Sequence, residues 1–280
     1  MVRPKPMSKM ILKTIHNAGF FSNCTIRLLD IINYFNQEKA LPDEVESSEQ
    51  FMHYKSYPGE NLIPYYFDRN NELNQDLKIT YSIPINTPYL DDCMAFQFHP
   101  YKNINLESVI PFINKYFTPS QDVLGRCNAY KEKYGLDYNN LCAVFYRGND
   151  KVTEMKVASY DYFIDKAKEV KSKYPTMKFL VQPDEREFLE AFLQVFPNDT
   201  IYFTETPMLN KQNSAMFFEL PKNERPEYGA KFFAALLCLS KCHTVITHSG
   251  NCGLWLSLYR GNTNNLHQIF NDKWLSLIHI

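Results

Sequence analysis

The chain has 280 residues, 45% of them hydrophobic and 15% aromatic, enough for two modest domains or one large one with a real core. A formal net charge of -1, with no basic stripe, excludes partners chosen by bulk charge, nucleic acid foremost. Seven cysteines, an odd number without small-scaffold spacing, exclude a disulfide framework and suit a reducing compartment. The first apolar run, residues 10–15, is broken by Lys13 and is too short for a signal peptide or a membrane span. These features lead us to expect a soluble, cytoplasmic protein without a membrane span.

Residues 9–15 read as a first strand, followed by a turn containing Gly19 and a helix over 25–36 with Ile26, Leu29, Ile32 and Phe35 at helical spacing. Strand, glycine turn and helix open an α/β unit, and the free N–H groups of such a helix start attract anions. Residues 41–50 read as a connection. The Tyr-, Pro- and Asn-rich stretch 51–105 offers short candidate strands at 78–83 and 95–98. Helices are expected over 104–117 and 123–134, the first broken by Pro119 and the second closed by Gly135.

The second half alternates regularly. Strands are expected at 142–146, 178–181, 200–203 and 243–247, and helices at 160–174, 185–196, 227–240 and 253–259, with a polar loop over 205–224. Repeated βα units of this length imply a parallel sheet covered by helices on both faces. The apolar tail 266–280 is expected to pack back on the body.

Two strand ends carry the chemistry. The apolar run 141–146 ends and releases Arg147, Asp150, Lys151 and Glu154; the run 243–247 ends in His248-Ser249-Gly250-Asn251. In a parallel sheet both lie at one edge, where ligands of open α/β sheets collect. A guanidinium and an ammonium suit phosphate, Ser249 and Gly250 at a helix start can add a hydroxyl and N–H groups, and a carboxylate can take a proton. No Asp-x-Asp pair occurs, which disfavours a metal-chelating sugar transferase. The cysteines and histidines of 238–252 fit no common zinc spacing. Asp184, at the end of the strand 178–181, is placed either to approach the base or ribose or, the reading preferred, to cap the following helix.

The segment Val144-Phe-Tyr-Arg147-Gly-Asn-Asp150-Lys151-Val-Thr-Glu154 resembles the His-x-Arg-Arg-x-Asp-Lys motif of the fucosyltransferase superfamily, which includes α1,6- and protein O-fucosyltransferases. Leu239-Ser-Lys-Cys-His-Thr-Val-Ile-Thr247-His-Ser249-Gly-Asn251 resembles that family's late strand and phosphate turn, and Gly19-Phe-Phe-Ser-Asn23 its first turn. The resemblance covers roughly residues 110–260 plus the first turn. It implies an α/β fold of GT-B type, two Rossmann-like domains with parallel sheets facing a cleft. We divide the chain into an acceptor domain at 1–125, a donor domain at 126–265 and a tail at 266–280.

By the same resemblance, Arg147 contacts the donor phosphate, and Lys151, Ser249 and Asn23 take further donor positions, with His248, Gly250 and Asn251 beside them. Glu154 is the base, and Asp150 its reserve. The family's His is Phe145 here, its second Arg is Gly148, and no acidic residue matches the one that contacts guanine. The donor is therefore left between GDP-fucose-like and UDP-xylose-like. The expected function is an inverting, metal-independent glycosyltransferase acting on a glycan or glycoprotein hydroxyl, with no cofactor and no metal. The alternative is an inactive nucleotide- or glycan-binding protein of the same fold.

Overall fold

The computed structural model describes residues 9–70 and 96–275. Strand β1 (Ile11–Lys13) leads through the Gly19 turn into helix α1 (Phe20–Glu38), and β2 (Glu44–Glu46) pairs with β1 in parallel. Helix α1 begins five residues earlier than its spacing suggests, because Phe20 and Phe21 are themselves buried core residues. The strand β2 lies in what reads as a connection. The expected strand at 78–83 lies outside the described residues, and Phe96–Phe98 forms a 3₁₀ turn instead of a strand.

Helices α2 (Ile63–Tyr66), α3 (Leu106–Tyr116) and α4 (Gln121–Tyr134) follow, α3 and α4 close to expectation. The second half then builds β3 (Leu141–Tyr146), α5 (Tyr160–Lys173), β4 (Lys178–Pro183), α6 (Arg186–Val195), β5 (Thr200–Ile201), α7 (Met216–Glu219), α8 (Arg225–Ser240), β6 (Thr244–His248), α9 (Asn251–Arg260), β7 (Leu266–Phe270) and β8 (Lys273–Trp274). The six strands from β3 onward form one sheet in the order β5-β4-β3-β6-β7-β8, parallel except for β8. The tail thus does more than pack back: through residue 275 it extends the sheet.

Strand β3 is buried along its whole length because both its faces are covered. Side chains alternate along a strand, so Ala143 and Phe145 enter the core shared with α1, α4, α8 and α9, while Cys142, Val144 and Tyr146 enter the core under α5 and α6. The chain leaves β3 toward β4 and β5, then returns to place β6 on β3's other side. That reversal opens a crevice at the carboxyl ends of β3 and β6, where doubly wound sheets bind ligands. Among the described residues no helix is long and apolar enough to cross a membrane.

Candidate active site

The alternation of β3 carries on past its end. Arg147 continues the Phe145 face, toward the N-terminal half, and Gly148 continues the Tyr146 face, toward α5. Arg147 is held from two sides: Nε donates to Asp184 at 2.9 Å and Nη2 to Asp150 at 2.5 Å, while Nη1 lies 3.5 Å from the Cys252 sulfur. Asp184 also accepts from the Gly148 backbone N–H at 2.8 Å. It is no helix cap: it fixes the arginine. The sequence carried a signal for this, since Tyr146 pairs with Pro183 in register and the next residues along are Arg147 and Asp184.

The chain then tightens into a 3₁₀ turn over Asp150–Thr153, which brings Lys151 Nζ to 2.5 Å from Glu154. Lys151 Nζ also lies 3.5 Å from the Gln97 amide oxygen and 5.8 Å from the centre of the Phe98 ring. Burial raises the pKa of Asp184 to about 6, against the pull of Arg147. Burial pushes Asp150 the same way, but the Arg147 charge and hydrogen bond, aided by Lys151, outweigh it and hold Asp150 below the ordinary carboxylate value.

Arg147, Asp150, Lys151, Glu154, Asn251 and Cys252 line one side of a pocket of about 130 Å³. The opposite side is the Ala18–Ser22 turn with His16 and Tyr54; Met216, Phe217, Tyr228 and Phe232 close it. His16 shares a 2.9 Å hydrogen bond with Ser22, and burial lowers its pKa. Sequence reasoning passed over His16, whose place beside Gly19 was its one available signal.

The second expected cluster is arranged differently. Ser249 is fully buried, its hydroxyl accepting from Gln268 at 2.8 Å and its N–H bound to the Ile269 carbonyl at 2.7 Å. The Gly250 N–H faces the Gln97 carbonyl and the Tyr101 hydroxyl, each at 2.9 Å, and Gly250 holds a φ of +140° that favours glycine. At the start of α9 the Asn251 N–H is capped by the Gln97 amide oxygen at 3.0 Å. The N–H groups expected to meet phosphate are therefore already taken by protein.

His248 faces away from the pocket. It shares the parity of Ile246, packs on Tyr146 and Phe163, and has no hydrogen-bond partner on either ring nitrogen; burial lowers its pKa to about 3. Asn23 is also fully buried, tying the first turn together by donating to the Ala18 and Gly19 carbonyls and accepting from the Phe51 N–H. Of the expected donor contacts, Arg147, Lys151 and Asn251 share the pocket with the two carboxylates Asp150 and Glu154. Gly250 lies just behind Lys151, whose Nζ would be 3.2 Å from a Cβ built there. His248, Ser249 and Asn23 do not line it, because buried partners already hold the latter two and the strand's alternation turns the first away.

A doubly wound parallel sheet, a strand-end arginine and a crevice closed by an N-terminal βαβ unit define an α/β fold of GT-B type. Solved structures bear this out. The fucosyltransferase NodZ from Bradyrhizobium superposes with a TM-score of 0.57 at 14% identity, over 91% of this chain and 93% of that one. A NodZ alpha-1,6-fucosyltransferase soaked with GDP-fucose gives 0.56 at 13% identity, over 90% and 93%. A third, co-crystallized with GDP, gives 0.54 at 14%, over 86% and 88%. By sequence, the chain matches no family model and no curated protein.

Proposed function

We propose that this protein is a glycosyltransferase that takes a nucleoside-diphosphate sugar in the crevice between β3, β6 and the Ala18–Ser22 turn. The observation that carries the reading is Arg147, fixed by Asp150 and Asp184 at the topological switch point, in a fold shared with NodZ structures obtained with GDP and GDP-fucose. The pocket of about 130 Å³ is below the ~300 Å³ at which small-molecule sites begin, so donor binding requires it to widen.

Arg147 and Lys151 would hold the diphosphate and stabilise it as it leaves, with no metal. Their charges are now answered by carboxylates, and a phosphate would draw Lys151 away from Glu154. Glu154, so released, would take the proton from the acceptor hydroxyl as the sugar transfers with inversion. Asp150 stays bound to Arg147 and is the reserve base. The acceptor is a glycan or glycoprotein hydroxyl, and the sugar is fucose-like on GDP or xylose-like on UDP.

One observation favours a second reading, a glycan-binding protein of the same fold without turnover. Arg147 and Lys151 face three carboxylates, Asp150, Glu154 and Asp184, so the fully ionised cluster opposes a dianion. A thermal-shift panel of GDP, UDP, GDP-fucose, UDP-xylose and UDP-glucose tests donor binding directly, since a ligand stabilises the state it binds. Hydrolysis or transfer of the stabilising nucleotide sugar, in the presence of a chelator, separates the transferase from the binding protein. No shift with any of the five would sink the transferase and leave only the glycan-binding protein.

A further inference from the structure

A groove of about 680 Å³, wider than the pocket of Arg147, lies on the other side of the same turn. Alternation along β3 creates the division. Arg147, Lys151 and Glu154 line the front pocket; Tyr146, Gly148, Val152 and Met155 line the groove behind. The turn over 150–154 is the wall between them.

Glu185 forms part of the groove's floor and is fully buried. One carboxylate oxygen accepts from the Tyr160 hydroxyl at 2.7 Å; the other has no hydrogen-bond partner. An ionisable acceptor left unmatched in a folded protein is costly unless a ligand or water completes it. Gly148 is what admits it: a Cβ there would lie 2.2 Å from that unmatched oxygen. Burial and the Glu185 charge raise the pKa of Tyr160, so the phenol remains a donor.

The rest of the lining restricts the ligand. Lys156 is paired with Asp272, and Lys211 lies 5.8 Å from the centre of the Tyr160 ring. With Asp161 and Glu185 the groove carries both signs side by side, which suits neither a strong cation nor a strong anion. Tyr162 and Val152 are 39% and 43% exposed on its rim and offer apolar surface to a C–H face. A neutral ligand rich in hydroxyls, with flat C–H faces, matches all of these.

We infer that this groove binds a neutral oligosaccharide, the outer arm of the acceptor. A glycan crossing the 150–154 turn places its reacting hydroxyl at Glu154 and its next sugars over Tyr160, Tyr162 and Glu185. The inference rests on the transferase reading for the word acceptor, and on the groove alone for the binding.

Isothermal titration of cellotetraose, maltotetraose and chitotetraose into the wild-type chain, without donor, tests it. At least one should bind and protect residues 148–162 from amide exchange. Glu185→Gln and the surface variant Tyr162→Ala should each weaken it tenfold or more, with affinity for GDP or UDP unchanged. Absence of binding by all three sugars, or unchanged affinity in both variants, overturns the inference. Saccharide binding without nucleotide binding would leave the groove standing and remove the transferase reading; the converse would do the opposite.

Discussion

The turns after β3 and after β6 sit on neighbouring strands, at one sheet edge, and both read as phosphate cradles. They differ in what covers them. The β3 turn keeps its charged groups on the pocket wall, held by one another: Arg147 by Asp150 and Asp184, Lys151 by Glu154. The β6 turn is sealed by Gln97, Tyr101 and Gln268, which consume the Ser249 hydroxyl and the N–H groups of Gly250 and Asn251. A helix start binds anions only where its N–H groups are vacant. Being at the right edge is not sufficient; the competing partners decide.

The sharpest break between the two turns should come from Glu154. Replacing it with Gln removes the proposed base but leaves the shape, and general-base losses run to about 10²–10⁴-fold in turnover. The variant should keep its nucleotide affinity, measured by calorimetry alongside kcat. Full activity would transfer the role to another group, Asp150 first.

Arg147→Ala should act on binding. Losing charge-assisted hydrogen bonds to the diphosphate costs about 2–3 kcal/mol, near a hundredfold in Kd. It also leaves Asp150 and Asp184 without their cation, so thermal stability should fall at neutral pH. A variant that still binds nucleotide as tightly would place the phosphates elsewhere.

His248 gives a pH signature on the β6 side. Its folded pKa lies near 3 against an ordinary 6.5, so the folded chain binds fewer protons than the unfolded one. Its contribution to stability is full above pH 6.5 and is lost as the pH falls toward 3. His248→Phe should remove on the order of 2 kcal/mol of acid destabilisation at pH 5, seen as a smaller drop in Tm from pH 7 to pH 5 than the wild type shows. An equal drop in both proteins would mean His248 is not held neutral.

Ser249→Ala should have the smallest effect. It loses one buried hydrogen bond, about 1 kcal/mol of stability, while the Gln268 amide keeps its bond to the His99 carbonyl. Nucleotide affinity should be unchanged. A tenfold loss would mean that the β6 turn opens and takes part.

Much of this was legible in the sequence where periodicity spoke. Apart from α7, which forms within the expected loop 205–224, the strands and helices from 141 to 260 follow their apolar patterns because both faces of the sheet are buried. Arg147, Lys151 and Glu154, which line one pocket, stand out as candidates because charge is released there at the end of an apolar run. His248 could have been set aside by counting parity from Ile246. Ser249 could not: its partner Gln268 lies on β7, in a tail whose pattern gave packing but not pairing, and Gln97 lies in the stretch 95–98, read as a strand, of which Phe96–Phe98 forms a 3₁₀ turn. Asp184 was legible only once β3 and β4 were aligned in register. Gly148, a departure from the resembling motif, makes sense only beside Glu185, thirty-seven positions away in sequence and at contact distance in space.

The central claim is that the β3 turn, and not the β6 turn, holds the diphosphate. The direct test is calorimetric titration of GDP and UDP into the wild type, Arg147→Ala and Ser249→Ala. The account predicts that one nucleotide binds the wild type and Ser249→Ala equally and Arg147→Ala about a hundredfold more weakly. Loss of binding in Ser249→Ala with Arg147→Ala unaffected would contradict it.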